Sequence, residues 1–452
     1  MDNKGNKELF GHPVGLYLVS FTAIWERFSY YGMRAFLILY MINDISKPGN
    51  ADARLGGLGI PEGYAGIIYG IFTGMCYLLA LPGGIVADRY LGKRRSIIVG
   101  SIFIIFGLFT LAFNNGQYMF FVGLSLLAIG NGFFKPAAPA LIGDLYEQGD
   151  KRKDSAFTIF YTLFNGGACL APIICGIFAE EYAYKYGFLI AGTGMVTGLL
   201  AYLLAGQKLL GDTGKHVVQK QDKENKIEKI PLTKEEKDRI RVIFIIIFFV
   251  TFFWMGFEQA GSTFNIFSKN FIDRTIGSWE VPNSWFQSIN PLFILALGTV
   301  FSAIWLFLAK RDKNPSIPAK MGYGTIILGA GFLFMIGAIL QRGGENPDVT
   351  IKANMLWVVA TYFFHTIAEL FVSPIGLSMI SRLAPQSRTS FFMGIWFVSI
   401  FLANTIGGFM VGFANQFGYF AVYLTIAIYI VSLGLIMLLL SKKLLAMTHG
   451  KG

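Results

Sequence analysis

Charged side chains interrupt several long apolar stretches of this sequence, and they are its best candidates for chemistry. The segment FTAIWERFSYYGMRAFLILYM, residues 21–41, carries Glu26, Arg27 and Arg34. A charge at bilayer depth costs about 2.5–3.5 kcal/mol on insertion scales, so such residues usually face a partner or a water-filled cavity. Helical spacing places Arg27, Tyr31 and Arg34 on one face. The pattern predicts a polar stripe along a membrane-spanning helix.

Further ionisable side chains lie deep in later apolar stretches. These are Lys135, Glu258, His365 and Glu369. The deep charges fall on the first, fourth, seventh and tenth stretches, and this recurrence at every third helix predicts that those helices line one cavity. Apart from Glu26, the acids lie in the second half of the chain and the fixed positive charges in the first. A cavity with a basic wall and an acidic wall suits a zwitterionic ligand.

Two ion pairs are predicted from this distribution. We expect Arg34 to pair with Glu258, and Lys135 with Glu369, in some states of the protein. Breaking and remaking such pairs would couple ligand or proton binding to a rocking motion of the two halves. The simpler alternative is that an intramembrane ion pair only fixes the register of its helices.

Other residues near these charges also have simple interpretations. Neutralisation by Arg27 is one for Glu26, although neighbours at i and i+1 do not face each other on a helix. For His365, a packed and hydrogen-bonded histidine is favoured over a proton carrier. Tryptophans are often packing or interfacial residues, but those on cavity spans remain candidate ligand walls. Trp254 and Trp396 are such candidates, whereas Trp285 is assigned to packing or the interface.

Composition is typical of a polytopic membrane protein. Of the 452 residues, 54% are hydrophobic and 14% charged, whereas soluble domains carry about 25% charged residues. Twelve stretches approach the roughly 20 residues that a bilayer requires. The sequence predicts an all-α membrane protein with one six-helix bundle in 1–207, a hydrophilic linker in 208–240 and a second bundle in 241–452. The predicted spans are 14–42, 63–87, 96–113, 117–143, 156–179, 186–207, 241–268, 283–309, 319–340, 354–381, 389–414 and 418–441.

The distribution of basic residues predicts the orientation. Twelve spans put both termini on one side, and that side holds 28 of the 38 Lys and Arg residues, against 7 on the other side and 3 within the membrane. The positive-inside rule then places both termini and the linker in the cytoplasm. The net charge of +11 is thus explained by topology, and nucleic-acid binding is disfavoured. The first apolar segment is too long and too charged for a secretory signal peptide.

The two halves resemble each other, as expected of transporters built from repeats. FFKPAAPALIGDLY in span four parallels LFVSPIGLSMISRLAP in span ten, and DSAFTIFYTLFN in span five parallels RTSFFMGIWFVSIFLAN in span eleven. Thr233 and Glu236 form a capping box, which predicts that the seventh helix begins before the membrane. No nucleophile–base pair, P-loop or zinc spacing is present, which argues against an enzyme, and the three cysteines in apolar segments predict no disulfide framework. We expect no cofactor or metal.

Several motifs resemble those of the proton-dependent oligopeptide transporters (POT, also called PTR) of the major facilitator superfamily. AIWERFSYYG at 23–32 is similar to the family's ExxERFxYYG, and GGIVADRYLGKRR at 83–95 to its loop between spans two and three. GNGFFKP at 130–136 resembles its span-four lysine motif, and FTIFYTLFNGG at 157–167 its span-five signature, with Phe164 where isoleucine is usual. The likeness extends from Phe21 to about Leu440. Spans seven, eight and ten resemble the family in FWMGFEQAGS, WFQSINP and ELFVSPIGL.

The resemblance implies the major facilitator fold and the import of di- and tripeptides by proton symport, in a bacterial inner membrane and with monomer as the default state. It implies that Arg27 and Lys135 meet the peptide's carboxylate, and that Glu369, with Asn165 and Asn290, holds its amino terminus. It implies that Arg34 with Glu258 forms a periplasmic gate pair. Side-chain pockets are expected from Tyr30, Tyr31, Tyr69, Trp254 and Trp396, and Ser373 lies on the helix face of Glu369 as a further ligand contact.

One departure from the family pattern bears on coupling. Ala23 stands where the family has the first glutamate of ExxER, an acid implicated in proton coupling. Coupling is then expected to rest on Glu26, Glu258 or Glu369, or to be weakened. The same fold with another cargo, such as nitrate, another anion or an amino-acid derivative, stays open, although Glu369 favours an amine-bearing ligand.

Overall fold

The computed structural model describes residues 8–114, 116–147, 149–215, 233–345, 348–373, 379, 382–385 and 389–450. Within these residues, ten helices are long and apolar enough to cross a membrane, and a shorter apolar helix covers Leu356–Val372. A further long helix, Val14–Ile42, carries the charges of the first predicted span. Each of the twelve predicted spans therefore corresponds to a helix, since apolar length dictates where the chain can cross a bilayer.

The first unit groups the described residues within 8–60 and 75–215. Residues 61–74, which include most of α2, group with the second unit. Two short strands, β1 (Glu8–Leu9) and β2 (His12–Pro13), form an antiparallel hairpin before the first helix. The helices in this part of the chain are α1 (Val14–Ile42), α2 (Glu62–Leu78), α3 (Ala80–Val86), α4 (Lys93–Ala112), α5 (Gln117–Gly143), α6 (Arg152–Ile177) and α7 (Tyr184–Leu210).

The second unit groups 61–74 with the described residues within 233–450. Its strands are β3 (Ile272–Asp273), paired in parallel with β6 (Ala353–Asn354), and the antiparallel pair β4 (Thr275–Ile276) and β5 (Trp279–Glu280). Its helices after the linker are α8 (Lys234–Phe257), α9 (Thr263–Phe271), α10 (Phe286–Ala309), α11 (Ile317–Gln341), α12 (Leu356–Val372), α13 (Thr389–Phe417) and α14 (Tyr419–Met447).

The capping box at the start of α8 is confirmed. The Thr233 side chain accepts a hydrogen bond from the backbone of Glu236, and the Glu236 carboxylate accepts one from the backbone of Thr233. Each bond satisfies an N–H group that would otherwise lack a partner at the helix start. The predicted linker overlaps the end of α7 and the start of α8, and its residues 216–232 lie outside the described residues, as do 374–378 and 380–381 of the tenth predicted span.

The predicted seventh span, 241–268, lies within one apolar helical stretch over 234–271, and this stretch is interrupted. After α8 the chain makes a 3₁₀ turn at Glu258–Gly261, and α9 then begins. Gln259 is fully buried in this turn: its Nε2 donates to the carbonyl oxygens of Met255 and Gly407, and its Oε1 accepts from the Thr263 hydroxyl at 2.9 Å. These bonds join the turn to α13 and to the start of α9.

Two glycine contacts bring together the helices that hold the predicted site. A Cβ on Gly83 in α3 would collide with the carbonyl oxygen of Gly132 in α5, three residues before Lys135. A Cβ on Gly66 in α2 would lie 2.5 Å from the carbonyl oxygen of Gly408 in α13. Small residues allow such close approach between membrane helices.

The N-terminal hairpin is attached to the connection between α5 and α6 by a polar network. Arg152 donates to the Glu8 carboxylate at 2.8 Å and to the carbonyl oxygen of Gly11 at 3.1 Å. Hydrogen bonds from the Arg152 side chain and backbone hold the pKa of Asp150 below its usual range. His12, which is buried, hydrogen-bonds through Nδ1 to the Tyr146 hydroxyl at 2.9 Å.

Candidate functional site

The ammonium of Lys135 lies between two aromatic faces in the first unit. Its Nζ is 4.1 Å from the ring centroid of Tyr30 and 4.6 Å from that of Tyr77. Nζ is buried, and no hydrogen-bond partner for it is found among the described residues. Cation–π attraction stabilises a desolvated ammonium, but it leaves the three N–H donors unused. Lys135 can therefore still accept an anionic ligand.

Pro136 follows this lysine inside α5. Because proline has no backbone N–H, the carbonyl of Gly132 loses its usual helical partner. The same arrangement recurs in the second unit, where Pro291 lies inside α10 immediately after Asn290. In both units, a predicted ligand-binding side chain therefore lies where the backbone hydrogen bonding of its helix is interrupted.

Arg27 lies on the polar stripe that the sequence predicted. Its guanidinium donates to the Tyr31 hydroxyl at 3.2 Å, and the Arg34 guanidinium lies 5.8 Å from the centroid of the Tyr31 ring. The predicted common face is thus confirmed. Arg27 also lies over the ring of Phe164 in α6, with 4.5 Å between its Cζ and the ring centroid. The residue that departs from the family's span-five signature therefore contacts a predicted carboxylate-binding residue.

Glu26 is almost fully buried, at 3% exposure. Its Oε2 lies 3.8 Å from Nε of Arg27, so the expectation that these neighbours do not face each other is wrong. Long side chains can bend toward each other even though their Cβ atoms diverge on the helix. Glu26 is also the acid that attracts Lys135 most strongly among the described residues. The sequence had assigned Lys135 to Glu369 alone.

Asn165 is bound to its own helix. Its Nδ2 donates to the carbonyl oxygen of Tyr161 at 2.9 Å, and the side chain is buried. The amide oxygen is not used in that bond, so it is the atom of Asn165 that remains suited to accept from a ligand.

An acid–amide cluster forms in the second unit around Glu369. The carboxylate is buried, and its Oε2 accepts from Nδ2 of Asn290 at 2.8 Å. The same Nδ2 donates to the Thr366 hydroxyl at 3.1 Å, and that hydroxyl donates to the carbonyl oxygen of Tyr362. The Asn290 amide therefore orients one carboxylate oxygen, and Thr366 holds that amide in place. Two residues predicted to hold an ammonium group are here brought together.

Two further predicted residues lie close to Glu369. Glu258 occupies the turn after α8, and it repels the Glu369 carboxylate electrostatically. Ser373 ends α12, where its backbone N–H donates to the carbonyl oxygen of Glu369 at 2.7 Å, and its side chain is exposed. Ser373 is therefore positioned one turn from the acid, as predicted from helical spacing.

The predicted aromatic walls of the second unit are largely buried. Trp396 is 6% exposed, and Trp254 is packed beside it against the same apolar cluster. Nε1 of Trp254 is buried, with no hydrogen-bond partner within the described part of the chain. Tyr69 is 2% exposed and lies in the segment that packs on α13. An unused indole N–H is a suitable donor for a ligand carbonyl.

His365 is packed, as the sequence favoured, but only partly hydrogen-bonded. It is 2% exposed and lies against the rings of Phe257, Phe264 and Phe332. One hydrogen bond joins it to the backbone of Leu328, while Nε2 has no partner among the described residues. Its apolar surroundings disfavour a charged imidazolium.

Three site residues were not identified from the sequence. Tyr77 covers Lys135, and Thr366 shares the amide of Asn290. Phe164 was noted only as a departure from a motif. The spacing of Thr366 three residues before Glu369 was a usable signal, whereas nothing local indicated Tyr77, because its contact depends on how α2 packs on α5.

This chain is similar to known proteins along most of its length. A family model described as the POT family matches residues 94–216 and 205–426. A relative named peptide transporter YePEPT, from Yersinia enterocolitica, is 32% identical over 90% of this chain and 89% of its own length. A di-/tripeptide transporter of Lactococcus lactis subsp. cremoris is 30% identical over 98% of both chains.

The fold has close counterparts among solved structures. A crystal structure of a peptide transporter, POT, in complex with sulfate superposes with a TM-score of 0.89 at 30% identity. The superposition covers 98% of this chain and 97% of that chain. At such scores and coverage, the arrangement of helices is shared along nearly the whole chain.

Proposed function

Since this chain belongs to the POT family of membrane transporters, we propose that it imports di- and tripeptides by proton symport and alternating access. It is a multi-pass transporter and not an enzyme, and it has the major facilitator fold, with twelve membrane-spanning helices in two pseudo-symmetric six-helix bundles. We place it in a bacterial inner membrane with both termini in the cytoplasm, as a monomer.

One observation carries the proposal. The first unit holds a cationic cluster of Lys135, whose Nζ is buried, and the partly buried Arg27, and the second holds the buried Glu369 with the partly buried Asn290. Buried charges are costly unless they are paired or used. A short peptide is a zwitterion, so its carboxylate complements the first cluster and its ammonium complements the second.

We assign the residues accordingly. Lys135 and Arg27 bind the peptide carboxylate, since Lys135 has hydrogen-bond donors that no described residue uses. Glu369 accepts the peptide ammonium, with Asn165 and Asn290 beside it. Arg34 and Glu258 form a gate pair, and Lys135 with Glu369 a second one in some states. The proposed pocket residues are Tyr30, Tyr31, Tyr69, Trp254, Trp396 and Ser373.

The coupling route differs from the family pattern at one position. Ala23 is 3% exposed and offers no proton site. We assign proton coupling to Glu26, Glu258 or Glu369, of which Glu26 is buried beside both Arg27 and Lys135. Protonation of Glu26 would weaken its hold on Lys135 and leave that ammonium more available to the peptide carboxylate.

The alanine at position 23 also supports a second candidate, peptide transport with weakened proton coupling. Such a carrier would exchange peptides readily across the membrane but would accumulate them poorly. Glu369, held by Asn290, counts against nitrate or other anions as the main cargo, because it would repel them.

Uptake into liposomes tests these alternatives. We expect an inward acid gradient with an inside-negative potential to drive accumulation of a labelled dipeptide above the external concentration. Counterflow exchange in the same vesicles without gradients provides the control for binding and translocation. Exchange without driven accumulation would establish the second candidate and refute symport. Competition by dipeptides, tripeptides and single amino acids would define the cargo.

A further inference from the structure

A groove lies between α8 and α14 in the second unit, and it shares no residue with the two charged clusters. Its volume is about 650 Å³. Its apolar lining includes Phe244, Ile245, Leu440 and Leu444. Phe244 is 47% exposed, like many large apolar side chains on the surface of this membrane protein.

Two cations, Arg241 and Lys443, lie midway along the lining of the groove. Arg241 precedes Phe244 in α8 by about one helical turn, and Lys443 follows Leu440 in α14 by about one turn. On one side of the cations the lining is wholly apolar, and on the other side it is formed by Asp238, Leu444 and Met447. A phosphate at the two cations would therefore leave an acyl chain beside the wholly apolar part.

The walls of the groove are held in place by bonds between the ends of the two helices. Nε of Arg239 in α8 donates to the carbonyl oxygen of Thr448 at 3.2 Å. Nε2 of His449 lies 3.3 Å from Oδ2 of Asp238. These contacts fix the spacing between the helices, so the groove is formed in the absence of a ligand.

The charges in the lining favour an anion. Among the described residues that line the groove, Asp238 is the one acid, and it is engaged by Arg241 at 3.0 Å and by His449. Lys443 belongs to none of the ion pairs formed within the described residues. Its ammonium is thus an uncompensated positive charge above an apolar groove.

We propose that this groove binds one anionic phospholipid of the cytoplasmic leaflet, with its phosphate at Lys443 and Arg241 and an acyl chain along the apolar lining. The proposal rests on the cytoplasmic orientation assigned above. Basic residues at that surface attract anionic headgroups, and the apolar residues Phe244, Ile245 and Leu440 lie within the predicted spans, where an acyl chain can pack against them.

Native mass spectrometry of the delipidated full-length protein tests the proposal. Phosphatidylglycerol and phosphatidylcholine with identical acyl chains are titrated in turn. We expect one tightly retained phosphatidylglycerol, and we expect the double variant Arg241→Gln/Lys443→Gln to bind it about tenfold more weakly. Lys442→Gln is the matched control, because Lys442 is exposed but does not line the groove. Leu440→Trp fills the apolar part and should reduce retention while keeping both cations.

Three results would overturn the proposal: equal retention of the two lipids by the wild type, unchanged retention by the double variant, or competition by free glycerol 3-phosphate as effective as by the lipid. Equal losses in Lys442→Gln and the double variant would reduce the effect to general surface charge and would also refute it. Exchange of peptide by the same samples in phosphatidylcholine liposomes is measured separately, so failure of the lipid site and failure of the transport proposal remain distinguishable.

Discussion

The two charged clusters stabilise their buried charges in different ways. In the first unit, Lys135 lies against the faces of Tyr30 and Tyr77 and uses no hydrogen bond to any described residue. In the second unit, Glu369 accepts a hydrogen bond from Asn290 at 2.8 Å. Aromatic faces reduce the cost of burial without consuming donors, whereas a hydrogen bond consumes one and fixes its direction.

The difference between cation–π contacts and a hydrogen bond indicates what each cluster is suited to bind. The cation keeps all of its donors and can meet a carboxylate in several geometries. The acid is oriented by the amide of Asn290, which Thr366 in turn holds by accepting from the same nitrogen, so the carboxylate presents its remaining acceptor positions in a fixed direction. We infer that the amino end of a ligand is positioned more strictly than its carboxyl end.

The largest expected effect is that of Lys135→Ala. We expect driven dipeptide uptake to fall to the background of empty liposomes, because the variant lacks the ammonium that meets the ligand carboxylate. Folding should persist, because no described group loses a hydrogen bond when this ammonium is removed. Transport assays with thermal unfolding as a control measure both quantities.

A matched variant is Lys185→Ala. Lys185 is exposed and lies 5.0 Å from the ring centroid of Tyr186, so it also has a cation–π contact, but it lies in the first turn of α7, outside both charged clusters. It should transport normally. If Lys135→Ala accumulated the dipeptide as well as the wild type does, Lys135 would not have the assigned role, and the cationic cluster would not be a ligand site.

Glu369→Gln tests the other cluster. The glutamine oxygen can still accept from Asn290, so the local geometry should hold while the charge is lost. We expect peptide affinity to fall by about 10- to 100-fold, the range for a charged hydrogen bond of about 1.5–3 kcal/mol. Competition binding with a dipeptide measures the loss. An equal loss for a dipeptide with a blocked amino terminus would argue against an ammonium contact.

The proposed gate pair is tested by exchanging charges. Arg34→Glu and Glu258→Arg should each reduce uptake by about tenfold or more, since each leaves a charge without its opposite partner at bilayer depth. The double exchange should restore part of that loss. Initial uptake rates at saturating dipeptide, corrected for the amount of protein in the liposomes, measure the rescue. No rescue by the double exchange would be evidence that the two residues act independently.

Much of the fold could be predicted because bilayer thickness determines helix length. The predicted spans 14–42 and 117–143 have the same limits as α1 and α5. The break after Phe257 was not predicted. The turn there is held by a hydrogen bond from Gln259 to Gly407, 148 residues away, and a contact between residues so distant in the chain produces no local sequence pattern.

The candidate site was predictable to a similar degree. Helical spacing alone placed Arg27 and Tyr31 on one face, and the structure pairs them at 3.2 Å. Spacing also excluded the contact of Glu26 with Arg27, wrongly, because flexible side chains reach further than Cβ directions suggest. The aromatic partners of the cations on other helices could not be predicted, because these contacts depend on tertiary packing.

Phe164→Ile tests how much an aromatic ring contributes to the cationic cluster. This change introduces the isoleucine that the motif resemblance implies for this position, and it removes the ring that lies 4.5 Å from the Arg27 guanidinium. We expect KM for a dipeptide to rise about three- to tenfold, in line with a cation–π contribution of about 0.5–2 kcal/mol. Phe164→Tyr keeps the ring and should stay near the wild type. If the two variants behave alike, the ring does not support Arg27.

The smallest expected effect concerns the network of Asp150 and Arg152, which lies outside both charged clusters. Its small effect on stability can be compared with the larger effects of changes in those clusters. Asp150 accepts hydrogen bonds from Arg152, which lower the pKa of its carboxyl below the usual value of about 3.9. A lowered pKa in the folded state means that the ionised carboxylate stabilises the protein above that usual value, and that this contribution disappears as the pH falls through the lowered pKa. Asp150→Asn should therefore reduce the thermal unfolding temperature slightly at pH 6, and the two proteins should converge as the pH falls through the lowered pKa of Asp150. Thermal unfolding curves of both proteins across this range measure the difference, with Asp144→Asn, whose carboxylate is bound by Lys93 instead, as a second exposed acid for reference. A difference that remained constant down to the lowest pH would show that the shape of the side chain, rather than its charge, determines the effect. The expected effect is small because water screens exposed charges far more than buried ones.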